Sequence, residues 1–153
     1  MRAIYVLVLT LFLALIVTLS QAQVANWWGG SASGTGYPTN STPVTASTPG
    51  TVGAIAATLP GVAGKTTFIC GLSMTSGGNT AAVTGLGTVV GTISGTLDFA
   101  YVAPAAGTQG RLVVTFAPVC IPASAMNTSI VVTQPAAGAG TVNAAVSAWG
   151  YQL

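Results

Sequence analysis

The chain has 153 residues, of which only 3% are charged, against roughly 25% in ordinary globular proteins. The charges are Arg2, Lys65, Arg111 and Asp98, with no His and no Glu. Hydrophobic residues reach 51%, which excludes intrinsic disorder, and too few Lys and Arg remain to neutralise a nucleic-acid backbone.

The length favours one domain after whatever precedes it. Residues 1–22 hold one Arg, an apolar run from Ala3 to Leu19, and the small residues Ser20 and Ala22. This pattern predicts a signal peptide cleaved after Ala22. The competing reading is an uncleaved anchor, since the run lies at the lower edge of what spans a bilayer. Membrane contact is expected only in that case. Either way the rest is exported, to the periplasm, the cell surface or the extracellular space.

Residues 23–50 are rich in Gly, Ser, Thr and Pro and read as a linker or extended arm. Trp27 and Trp28, with Tyr37, are its candidate ligand contacts, because indole and phenol join an apolar body to a polar tip. The plainer reading is that the tryptophans close an open end of the core.

From residue 51 onward the signals are those of strands. TVGAIAATL ends at Pro60-Gly61. In KTTFICGLSM, strict alternation puts Phe68, Cys70, Leu72 and Met74 on one face, and Thr67, Ile69, Gly71 and Ser73 on the other. Ser76 to Asn79 is a turn cluster. GTVVGTISGT, residues 87 to 96, repeats Gly-Thr at a spacing of four. If extended, it places Thr88, Thr92 and Thr96 on a hydroxyl face, with Gly87, Val89 and Gly91 opposite. Inward glycines leave room for bulky neighbours or mark a bulge. The run to Tyr101 is too long for one strand, so a turn or bulge is expected near Val90 to Thr92. It lacks the Lys and helix of a phosphate loop.

RLVVTFAPV places Leu112, Val114 and Phe116 together. TSIVVTQ is stopped by Pro135. In TVNAAVSAWGYQL, Val142, Ala144, Val146 and Ala148 share a face. No amphipathic helix follows the apolar start. The expected fold is all-β: an antiparallel β-sandwich over 51–153, with a jelly roll as one of its forms. An outer-membrane barrel fits less well, because these strands are short and Gly-rich.

Cys70 and Cys120 are the only cysteines, and in an exported chain an even count favours a disulfide over two buried thiols. No metal and no cofactor are expected, since two Cys without His cannot complete a tetrahedral shell. Acid–base catalysis lacks its usual groups, no carboxylate pair or Ser-His-Asp triad can be built, and the chain reads as non-catalytic. Asp98 reads as a solvated charge or an ion-pair partner of Arg111 on a neighbouring strand. A sharper reading makes Lys65 and Asp98 parts of an isopeptide cross-link.

The stretches Thr66-Thr67-Phe68-Ile69-Cys70-Gly71, Cys120-Ile121-Pro122-Ala123-Ser124, Asn127-Thr128 and Ala148-Trp149-Gly150-Tyr151 resemble a group of small uncharacterised exported β-rich proteins of proteobacterial and phage-related origin. The resemblance covers roughly residues 50 to 153. It implies a shared fold and brings no activity with it; the phage connection implies a virion or tail structural role. The expected function is structural or adhesive at the cell surface or in the periplasm, with self-association or a surface glycan as partner. A carbohydrate-binding module is a further alternative.

Overall fold

Side chains alternate across an extended backbone, so a strand can bury one face and solvate the other. Nine such strands lie among the described residues, 37–116 and 118–153, of this computed structural model. They are β1 (Thr42–Gly50), β2 (Ile55–Leu59), β3 (Thr67–Gly77), β4 (Val83–Thr92), β5 (Gly95–Ala103), β6 (Gln109–Thr115), β7 (Ile121–Pro122), β8 (Ile130–Gln134) and β9 (Asn143–Gln152). Contacts divide the chain into Met1–Asn40 and Ser41–Leu153, and every strand belongs to the second unit. In the first, Tyr37 to Asn40 form a bend and a turn. The expected signal peptide, Trp27 and Trp28 lie outside the described residues.

The strands form two sheets, ordered β1-β9-β3-β6 and β2-β8-β4-β5, with β7 also on β3. All strand pairs are antiparallel. β4 and β5 form a hairpin within one sheet, and β6 and β7 lie successively along β3; every other connection crosses to the opposite sheet. This is the sandwich-like arrangement that the alternation implies.

Between the sheets lie Leu59, Ile69, Leu72, Met74, Val89, Ile130, Val132 and Val146, all fully buried. Burying each such side chain stabilises by about 1.5–3 kcal/mol. Ala57, Ala103 and Ala148 belong to the same buried cluster. Along the open side between β5 and β6, Phe99 and Phe116 meet with ring centroids 6.3 Å apart. Leu112 and Val114 pack against the same core, as their spacing predicts.

Three expectations need correction. First, residues 42–50 are not linker: they form β1, paired along its length with β9. Val44 and Ala46 pack against the core. Pro43 and Pro49 gave the segment its linker composition. They are six residues apart and so share one parity, whose backbone positions an edge strand can leave unpaired. Second, β3 does not alternate without interruption. Its buried residues are Thr67, Ile69 and Gly71, then Leu72, Met74 and Ser76, so two successive residues, Gly71 and Leu72, are both covered. The register against β9 slips between Ile69 and Gly71, and the extra residue, Cys70, flips the phase. Phe68 and Cys70 therefore do not share a face with Leu72 and Met74. Third, Val142 precedes β9 and is 64% exposed, while Ala144, Val146 and Ala148 turn inward as expected.

The Gly-Thr repeat resolves into three separate glycine roles. Gly87 faces Met74 of the opposite sheet, and a Cβ there would meet the Met74 Cε and Sδ. Gly91, with φ +87°, sits in the register slip between Val89 and Thr92, hard against the Ser129 carbonyl. Gly95, with φ +79°, closes the Ile93-Ser94 turn into open space. The bulge falls where the sequence places it, and the turn follows it directly.

The environments predict an order of cost on substitution by Ala. Gly95→Ala meets backbone strain alone and should cost about 1 kcal/mol. Gly87→Ala presses on a flexible methionine tip and should cost about 1–2 kcal/mol. Gly91→Ala combines left-handed strain with a backbone clash and should cost about 3 kcal/mol or more. Urea unfolding of the three variants tests the ranking, which fails if Gly91→Ala is the mildest.

Candidate functional site

A densely connected region surrounds the disulfide. β6 leaves its pairing with β3 at Thr115, opposite Gly71, and β7 resumes at Ile121, opposite Ile69. The intervening segment bypasses the bulge residue Cys70. Cys70 and Cys120 are bonded across this gap, with S–S 2.03 Å and Cα–Cα 4.3 Å. The Phe116 N–H donates to the Cys70 carbonyl at 2.9 Å. Beyond the disulfide, Pro122 to Ser124 ties the two sheets together. Ala123 N–H donates to the Thr67 carbonyl at 2.7 Å, Ile93 N–H to the Pro122 carbonyl at 3.0 Å, and Ser124 N–H to the Gly91 carbonyl at 2.9 Å.

On the outer face of β3 and β9, Phe68 and Tyr151 are directly opposite and stack with centroids 4.7 Å apart. Trp149, half-buried, stands opposite Gly71, and a Cβ on that glycine would collide with the indole. The indole therefore covers the glycine. Tyr151 is only 8% exposed. These rings serve the sheet before they serve a ligand. They are not among the candidate contact residues expected from the sequence, although the alternation that buries Ala148 turns Trp149 and Tyr151 outward.

At one end of the sandwich the interior is polar. Tyr101 donates to the Ser76 hydroxyl at 2.8 Å, Thr141 donates to the Asn79 Oδ1, and the Gln134 amide donates to the Thr75 carbonyl at 3.0 Å. Asn79 Nδ2 and Gln134 Oε1 have no hydrogen-bond partner. These neutral amides and hydroxyls offer neither a general base nor a charge. Burial raises the Tyr101 phenol above its usual range, an effect that the Ser76 hydrogen bond partly offsets, and burial also raises Tyr151. Among the described residues no three His, Cys, Asp or Glu side chains come together.

The other candidate residues are dispersed. Tyr37 is partly buried and belongs to the first contact unit. The expected threonine face is broken. The bulge turns Thr92 inward, 3% exposed, where its hydroxyl donates to the Gly95 carbonyl at 2.7 Å. Thr88 remains on the outer face opposite Asp98 and Thr133. Asp98 and Arg111 are exposed on strands of different sheets, so they are not neighbours in one sheet. Lys65, just before β3, donates to the Thr42 hydroxyl at 2.9 Å, at the opposite side of the fold from β5. Lys65 and Asp98 are thus not brought together for a cross-link. A shallow apolar depression on the outer face of β4 and β5 is lined by Thr84, Leu86, Ala100 and Val102.

No protein-family model, curated protein or solved structure matches this chain.

Two stability measurements follow from this geometry. The disulfide links residues 50 apart in sequence, and closing a loop of that length stabilises by about 4 kcal/mol in the chain-entropy model. The double variant Cys70→Ala, Cys120→Ala should lose about that much by urea unfolding; a loss too small to measure would show that the clamp is dispensable. The tyrosines set the alkaline limit. Their raised values favour the neutral phenol in the folded state, so the unfolded chain deprotonates first above about pH 10. Stability is then fully present below that pH and falls above it. Tyr101→Phe should flatten part of that fall in pH-dependent melting, while costing about 1 kcal/mol at neutral pH through the Ser76 hydroxyl left behind.

Proposed function

We propose that this chain is a non-catalytic structural or adhesive protein, exported to the cell surface or periplasm. The observation that carries the reading is a disulfide-clamped all-β body whose described residues hold three charged side chains, Lys65, Asp98 and Arg111, on a surface that also exposes Leu, Ile and Val. A disulfide fits an oxidising compartment. A near-neutral surface does little to keep copies apart. The described residues assemble no nucleophile with a base and an oxyanion donor.

A second reading is a phage-related virion or tail structural protein, and strand order favours it. Counting β6 and β7 as one interrupted strand gives eight strands. The first then pairs with the last, the second with the seventh, the third with the sixth, and the middle two form the hairpin. The roll closes where β9 meets β3 and β8 meets β4. We read this order as a jelly roll, a fold common among capsid and lectin domains. Fold alone does not assign function; the virion reading adds to it the phage-related resemblance that the sequence motifs suggest.

Fractionation of cells producing the tagged full chain tests the first reading. The protein should appear outside the cytosol with Cys70 and Cys120 oxidised. Cytosolic protein with free thiols would overturn it, and co-sedimentation with phage particles would favour the second.

A further inference from the structure

The two broad faces of the sandwich carry opposite charges. Asp98 on β5 faces outward from one sheet and Arg111 on β6 faces outward from the other, both exposed. Neither is joined to a partner among the described residues. Each charge has apolar company. On the Asp98 face, Leu86 is 59% and Val102 54% exposed; on the Arg111 face, Val113 is 45% exposed.

The charges also lie on the same side of the fold. β5 and β6 are edge strands of their sheets, consecutive in the chain, and Gly110 of β6 lies against the Val102 carbonyl of β5. From that level both strands lead away from their connecting loop. Arg111 is one residue along and Asp98 is four, an offset of about 10 Å at strand rise.

We infer that the outer face of the β2-β8-β4-β5 sheet docks on the outer face of the β1-β9-β3-β6 sheet of a second copy, with Asp98 against the next copy's Arg111. A slide of about three residues along the strands brings the two groups together. This rests on the structural reading proposed above and gives it a partner, another copy of the chain. The contact joins unlike faces, so each added copy presents a fresh face and growth stays open instead of closing at a dimer. Growth by strand addition is poorly supported: β1 carries Pro43 and Pro49 on its edge, and β2 has five residues. Four strands span about 19 Å, so each contact is at the small end of specific interfaces and assembly depends on concentration.

The test is sedimentation velocity on the oxidised full chain at low ionic strength, over a wide concentration range. Four proteins are compared: the parent, Asp98→Arg, Arg111→Asp, and the double exchange. Circular dichroism and melting confirm that each is folded, since both positions are exposed. The parent should form a ladder of species beyond the dimer. Each single reversal should raise the association midpoint by about tenfold or more, because it sets like charges together, and the double exchange should restore it. Association that stops at a dimer, or that ignores both single reversals, overturns the face pairing and leaves the structural reading standing. A chain monomeric at every concentration overturns both.

Discussion

The bond between Cys70 and Cys120 holds together two interruptions in one sheet. β3 carries an extra residue against β9, and the strand on its other side breaks between Thr115 and Ile121. Either defect alone would loosen the pairing next to it. Placed side by side and covalently joined, they form a fixed corner. From that corner runs the short segment Pro122 to Ser124, whose backbone groups bond to Thr67 in one sheet and to Gly91 and Ile93 in the other. The spacing of the two sheets at this end thus depends on a cysteine in a bulge.

The bulge also explains why β3 serves both faces. Without the bulge, unbroken alternation from Ile69 would turn Gly71 and Ser73 toward the core in place of Leu72 and Met74. With it, Phe68 turns outward to stack on Tyr151, while Met74 turns inward against Gly87. A large flexible side chain opposite a glycine brings two sheets together without leaving a void. Gly71 under Trp149 uses the same pairing on the outer surface. Such pairings suit a chain built from Ala, Gly, Val and Thr, where few side chains are long enough to fill a gap.

Much of this fold was legible in the sequence, and the misses have physical causes. Period-two alternation located β3, β4, β5, β6, β8 and β9, because a strand with one buried face writes that period into its residues. Gly-Thr at even spacing signalled a two-faced strand with an irregularity near Val90 to Thr92. β1 escaped because an edge strand tolerates proline and needs few apolar residues, so its composition matched that of a linker. The phase change in β3 escaped because a bulge of one residue has no side-chain signature when the residue is cysteine. That Asp98 and Arg111 stand on different sheets, not on neighbouring strands of one, escaped for a different reason. Which sheet each strand joins is set by crossovers between distant segments, and local patterns do not encode them.

Surfaces of Thr, Ala, Val and Leu adhere without specifying a register, since flat faces with repeating small side chains can slide along one another. Specificity needs something costly to misplace. In this chain the described residues supply three charges for that task, and Lys65 is engaged at the side of the fold with Thr42. That leaves one acid and one base, on opposite faces and the same edge. A single pair is a weak source of energy when exposed, yet it discriminates. Apolar area supplies the attraction, and a misaligned copy leaves both charges desolvated and apart. Adding further charges would improve solubility and blur the match. A surface so poor in ionisable groups therefore suits a subunit that must find one orientation on its own neighbour.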